Sequence, residues 1–189
     1  TKFTLFIHYR ADGGDIKGVV LRSIDTNVTG DKYRRTYIEE EAQVGLTRKA
    51  SQKLHLFGLT ELQPIGEKEW DKTIVIVEGV IDALRAQHAT GKNNIVALNS
   101  NNISSEALQE AKRMGATGAV ILFDSERNTD DKPDKEAANR KKIEAAIATL
   151  RSLGMLAYVA ELPLADGKDK EDVDSYLRDH KGEDLTPVL

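Results

Sequence analysis

Three glycines, Gly91, Gly115 and Gly154, each close an amphipathic segment and hand over to an apolar, β-branched run. A glycine at a helix C-terminus takes the left-handed conformation that ends the helix, so each marks a helix-to-strand junction. The run TIVIVE (73–78) predicts a buried strand, and the segment 79–90 a helix with Val80, Ile81, Ala83 and Leu84 on one stripe. NIVALN (94–99) predicts the next strand, and Ser104 or Ser105 caps a helix that runs to Met114. GAVILFD (118–124) predicts a third strand, 136–153 a long helix, MLAYVAEL (155–162) a fourth strand, and 173–180 a short closing helix. Alternating β and α segments with nearly continuous apolar strands define the α/β class, with a mostly parallel central sheet covered by helices on both faces. In such sheets the C-terminal strand ends share one edge, and that edge binds ligands.

The first 70 residues follow another pattern. GVVLRSID (18–25) and KYRRTYIEE (32–40) predict short strands joined through Thr29, Gly30 and Asp31. Residues 46–59 predict a helical or irregular basic segment, and 62–72 a linker. The expected organisation is a small α+β subdomain over 1–70 and an α/β domain over 71–189. Charge divides the same way: residues 1–70 carry 11 Lys/Arg against 10 Asp/Glu, and residues 71–189 carry 16 against 21. The overall charge of −4 argues against a uniformly basic nucleic-acid binder, while Lys32, Arg34, Arg35, Arg48, Lys49 and Lys53 form a local basic cluster. No apolar run reaches the roughly 18 residues of a membrane span, and no signal peptide opens the chain. The chain has no cysteine, which excludes disulfides, thiolate catalysis and cysteine-bound zinc and fits a cytoplasmic setting. It opens on Thr1, which predicts a piece of a longer protein.

The acids fall on the predicted edge. Glu78 ends the first core strand, with Asp82 one helical turn on; Asp124 ends the third, with Glu126 two residues later. After the fourth strand comes DGKDKEDVDSYL, with Asp166, Asp169, Asp172 and Asp174. Each acid alone has a plainer reading: Glu78, Asp82, Asp172 and Asp174 stand at helix starts, where a carboxylate caps the helix or favours its dipole. Three strand ends delivering acids to one edge is what points to a divalent cation, since crowded carboxylates repel and hard oxygen donors suit magnesium or manganese. Other motifs fail. Asp124, Glu126 and Asn128 begin like a calcium-binding loop, but Thr129 replaces its glycine and Lys135 its final glutamate. There is no GxxxxGK[ST] loop, no GxGxxG turn and no GxSxG elbow, and His8, His55, His88 and His180 have no ligand spacing.

Val77-Glu78-Gly79-Val80-Ile81-Asp82-Ala83-Leu84, followed by Asp124-Ser125-Glu126, resembles the motif pair of the Toprim domain. That family includes DnaG-type primases, topoisomerases, OLD-type nucleases and RecR-like repair proteins. In this chain Glu126 stands where the family's second motif has its second Asp. The primase branch is resembled further by Asp172-Val173-Asp174-Ser175-Tyr176-Leu177, Lys32-Tyr33, Leu56-Phe57-Gly58-Leu59 and the early strand bearing Arg22. Arg34-Arg35-Thr36-Tyr37 stands where primases carry Asn-Ser-Pro-Glu-Thr. The whole is most similar to divergent primases of phages, plasmids and mobile elements.

The resemblance implies a Toprim-type fold and the catalytic RNA polymerase core of a DNA primase. That core makes short RNA primers on a single-stranded DNA template from ribonucleoside triphosphates, with Mg2+ or Mn2+ as cofactor. Glu78 is then a general base or a metal ligand. Asp124, Glu126, Asp172 and Asp174 are metal ligands, and Asp82 orients the site or ligates at its margin. Arg22, Lys32, Tyr33 and Arg34 contact the template or the triphosphate. A replicative helicase or a fused helicase domain is the implied partner. The alternatives are a Toprim metal-dependent nuclease or phosphotransferase, and a non-catalytic nucleic-acid-binding module.

Overall fold

Three antiparallel strands come first: β1 (Leu5–Arg10), β2 (Ile16–Arg22) and β3 (Tyr33–Tyr37) form a sheet in the order β1-β2-β3. The structure is a computed structural model and describes residues 5–10, 16–22, 33–37, 56–59, 72–98, 103–180 and 185. β2 and β3 are the strands expected around 18–25 and 32–40. β1 was not expected, although LFIHYR has the apolar and aromatic content that strands favour. The turn at 29–31, most of the basic segment 46–59 and nearly all of the linker 62–72 lie outside the described residues.

The central sheet is parallel, with β4 (Thr73–Val77), β5 (Ile95–Ala97), β6 (Gly118–Ile121) and β8 (Leu156–Val159) in the order β5-β4-β6-β8. Helices α1 (Val80–Thr90), α2 (Ser105–Arg113) and α3 (Lys135–Ser152) connect them. Two short strands, β7 (Ser125–Glu126) and β9 (Lys170–Glu171), pair antiparallel, and α4 (Val173–Asp179) follows. Gly91, Gly115 and Gly154 all take positive φ, as their place at helix ends demands.

Alternation along the strands sorts the core into two layers. Val75, Val77, Ile95, Ala97, Val120 and Leu122 face α1 and α4. Ile74, Ile76, Val96, Leu98, Ala119, Ile121 and Phe123 face α2 and α3. Leu56, Phe57 and Leu59 are buried with this core, and Phe57 exchanges backbone hydrogen bonds with Ala97 of β5 at 2.9 and 3.0 Å. The opposite edge differs from the expectation of a sheet covered on both faces. Register sets Tyr158 beside Val120, on the α1 and α4 side, but those helices do not reach it: Leu156 and Tyr158 are each 51% exposed.

The chain leaves β4 for β5 on one side and returns to β6 on the other. The crevice between the C-terminal ends of β4 and β6 is therefore a topological switch point, the usual ligand site of such sheets. Glu78 and Asp124 stand just beyond those two ends.

Candidate functional site

The acid at the end of β4 is not a helix cap. Gly79 is the N-cap of α1 and makes no side-chain cap bond, and Glu78 is instead held by Lys142 Nζ of α3 at 3.0 and 3.2 Å. Asp82, in the first turn of α1, is only 8% exposed. Its Oδ1 accepts the backbone N–H of Asp174 at 3.0 Å, which ties α1 to the start of α4. Gly79 makes room for this: a Cβ there would overlap Asp82 Oδ2.

Asp124 follows the apolar end of β6. Lys170 Nζ of β9 stands 2.5 Å from its Oδ2, and Asn139 Nδ2 of α3 donates to its carbonyl at 2.8 Å. Glu126 lies on β7, where Lys135 Nζ donates to its Oε1 at 3.1 Å. Asp172 does cap α4: its Oδ1 accepts the Ser175 N–H at 2.8 Å, and Ser175 Oγ accepts the Asp172 N–H at 3.1 Å. The Asp174 carboxylate has, among the described residues, long ion pairs with Arg85 at 4.0 Å and Arg178 at 3.9 Å. Asp166 and Asp169 are exposed in the loop before β9.

The carboxylates act on one another. Burial pushes the Asp82 carboxyl up to about 7, and the charges of Asp124, Asp172 and Asp174 add to the rise, against the lowering effect of the Asp174 N–H. Burial likewise raises Asp124; Glu78 and Asp172 add to it, while Lys170 opposes it. Burial lowers Lys170, but the carboxylates of Asp124, Glu126 and Asp172 outweigh it and raise its pKa. So β4, α1, β6 and α4 bring Glu78, Asp82, Asp124, Asp172 and Asp174 into one electrostatic neighbourhood, with Glu126 at its flank beside Lys170. This donor set suits a hard divalent cation, because it consists of carboxylate oxygens, and burial together with neighbouring acids disfavours the charged state of Asp82 and Asp124. Among the described residues, no three acids or histidines already form a cation cage. Lysines hold Glu78, Asp124 and Glu126 instead.

Those lysines are what sequence reasoning missed. Lys135, Asn139 and Lys142 recur at i, i+4 and i+7 on the helix after Asp124, so they share one helix face. That spacing was the available signal. Buried Glu171, 1% exposed, was also missed; it pairs with Lys168 Nζ at 2.7 Å and with the Ser175 hydroxyl. A cavity of about 660 Å3 opens beside Asp124 and Glu126, bordered by Asn139, Arg140, Leu162 and Tyr176. Of the expected nucleic-acid contacts, Arg22 and Tyr33 are direct cross-strand partners and Arg34 pairs with Leu21. Lys32 lies outside the described residues.

The fold and this edge define a Toprim domain: the family's profile matches residues 73–183, and the chain belongs to that family. No curated protein matches the chain by sequence. Among solved structures it is similar to the Aquifex aeolicus primase, in its zinc-binding and RNA polymerase domains, with TM-score 0.66 and 22% identity over 92% of this chain and 36% of that one. It is similar to the E. coli primase catalytic core, with TM-score 0.64 and 20% identity over 96% of this chain and 50% of that one. A DnaG primase catalytic domain bound to single-stranded DNA gives TM-score 0.62 and 20% identity over 94% and 49%. At this identity the likeness is one of fold. The chain spans between about a third and a half of the length of these structures. Among the described residues, no helix is long and apolar enough to cross a membrane.

Proposed function

We propose that the chain is the polymerase core of a DNA primase, joining ribonucleotides into short RNA primers on single-stranded DNA. The observation that carries this reading is the gathering of acids from β4, β6 and α4 at the switch point of a Toprim sheet. The primase branch is favoured because the fold likeness covers 92 to 96% of the chain, well beyond the 73–183 match.

Glu78, Asp124, Glu126, Asp172 and Asp174 would hold one or two magnesium or manganese ions, which when bound supply Lewis-acid polarisation of the triphosphate and help activate the primer 3′-hydroxyl. Glu78, partly exposed, would serve either as one of those ligands or as the general base that accepts that hydroxyl's proton. Asp82 acts through α4: by holding the Asp174 N–H it sets where Asp172 and Asp174 stand. The cavity beside Asp124 has the size of a small-ligand site and would take part of the nucleotide. In the basic unit over 1–70, Arg22, Lys32, Tyr33 and Arg34 would meet template or triphosphate, which makes binding salt-dependent. The setting we propose is cytoplasmic, with a replicative helicase or a fused helicase domain as partner.

The test is incubation of the chain with labelled single-stranded DNA, ribonucleotides, and magnesium or manganese. Template-dependent RNA products are expected. Cleavage of the DNA strand without any need for nucleotides would make the protein a Toprim nuclease instead.

A further inference from the structure

Every acid at the ends of β4, β6 and β7 is matched by one lysine. Lys142 reaches Glu78 at 3.0 Å, Lys170 reaches Asp124 at 2.5 Å and Lys135 reaches Glu126 at 3.1 Å. Two of the three come from one face of α3, and Asn139 between them fixes the Asp124 backbone. Lys170 comes from the separate β7–β9 ribbon, where register sets it opposite Glu126. The Lys142–Glu78 pair bridges elements 64 residues apart in sequence, whereas Lys135 and Glu126 are nine residues apart. An ammonium group and a divalent cation seek the same carboxylate lone pairs, so both cannot hold them fully at once.

We propose that Lys142, Lys170 and Lys135 are built-in counter-ions of the acidic edge: they hold Glu78, Asp124 and Glu126 in the absence of a divalent cation and compete with that cation for them. This rests on the reading that the acids bind metal. The lysines thereby set the metal affinity, and they keep the acid edge from repelling itself apart while no cation is bound. Their side chains are 24 to 45% exposed, so each can swing towards solvent while the cation takes its place on the carboxylate.

The test is calorimetric titration of the chain with manganese alone, for the wild type, Lys142→Met, Lys170→Met, Lys170→Arg and Asp124→Asn, with circular dichroism melting to confirm that each is folded. The two methionine variants are expected to bind manganese about tenfold or more tightly than wild type. Lys170→Arg, which keeps the charge, is expected to stay near wild type, and Asp124→Asn to bind more weakly. Manganese binding only in the methionine variants would support the proposal equally. Wild-type binding that Asp124→Asn weakens but the methionine substitutions leave unchanged or weaken would overturn the proposal and keep the metal site. No manganese binding in any folded variant would overturn both.

Discussion

At Gly79 the backbone passes so close to the Asp82 carboxylate that no side chain fits between them. The Glu-Gly pair of the first motif thus has a structural reason: Glu78 faces the crevice, and Gly79 lets Asp82 fold back and hold α4. Gly79→Ala is expected to force Asp82 away from the Asp174 N–H and to cost about 1–3 kcal/mol. In an Asp82→Ala background the same change is expected to cost much less, and a double-mutant cycle in urea unfolding reads that difference. Asp82 also gives a pH dependence. Its pKa of about 7 in the fold lies above the ordinary aspartate value of 3.8, so the folded state binds the proton more tightly. Stability from this group is therefore full below about pH 4, falls as pH rises towards 7 and levels off above it. Asp82→Asn keeps an acceptor for the Asp174 N–H and removes that fall. In chelator-containing buffer it is expected to gain a few kcal/mol over wild type at pH 8, and little at pH 4. The motif letters disclosed Glu78, Asp82 and Asp124 as a set, but not that Asp82 is buried under Gly79 while Glu78 faces the crevice. Burial and the direction of a carboxylate depend on packing between α1 and α4, which lie 92 residues apart at their hydrogen bond.

At the scale of elements, α4 is a short helix with much to position. Its capping box joins Asp172 and Ser175, and Ser175 also meets buried Glu171. Ser175→Ala removes one half of the box and a partner of a buried carboxylate, and is expected to destabilise the protein by about 1–2 kcal/mol. Faster amide exchange confined to α4 would show where the loss falls; exchange unchanged there would contradict the positioning role given to this helix. The helices were legible from their stripes and closing glycines: α1, α2 and α3 lie within a residue or two of the expected segments. The β7–β9 ribbon was not legible, because two-residue strands carry no periodic signal and the pairing joins Ser125 to Glu171 and Glu126 to Lys170, far apart in the chain. The capping role expected of acids at helix starts holds for Asp172 and not for Glu78, whose partner is Lys142.

For the whole molecule, the apolar strands made the parallel sheet readable, and the order β5-β4-β6-β8 places the switch point where the acids fall. What the pattern could not show is that β8 is an edge. MLAYVAEL is as apolar as a central strand, yet Tyr158 stands half exposed while Leu150 of α3, over the other face, is fully buried. Leu150→Ala is therefore expected to cost about 2–5 kcal/mol in urea unfolding. Tyr158→Lys is expected to change stability by no more than about 0.5 kcal/mol. The central claim is that acids delivered by three different elements serve one chemical site. Its most direct test is template-dependent primer synthesis by Glu78→Gln, Asp124→Asn and Asp174→Asn beside the wild type, at equal metal and nucleotide. We predict RNA products from the wild type and a loss of about a hundredfold or more in each variant. Near-wild-type synthesis by any one of the three would contradict a single shared site.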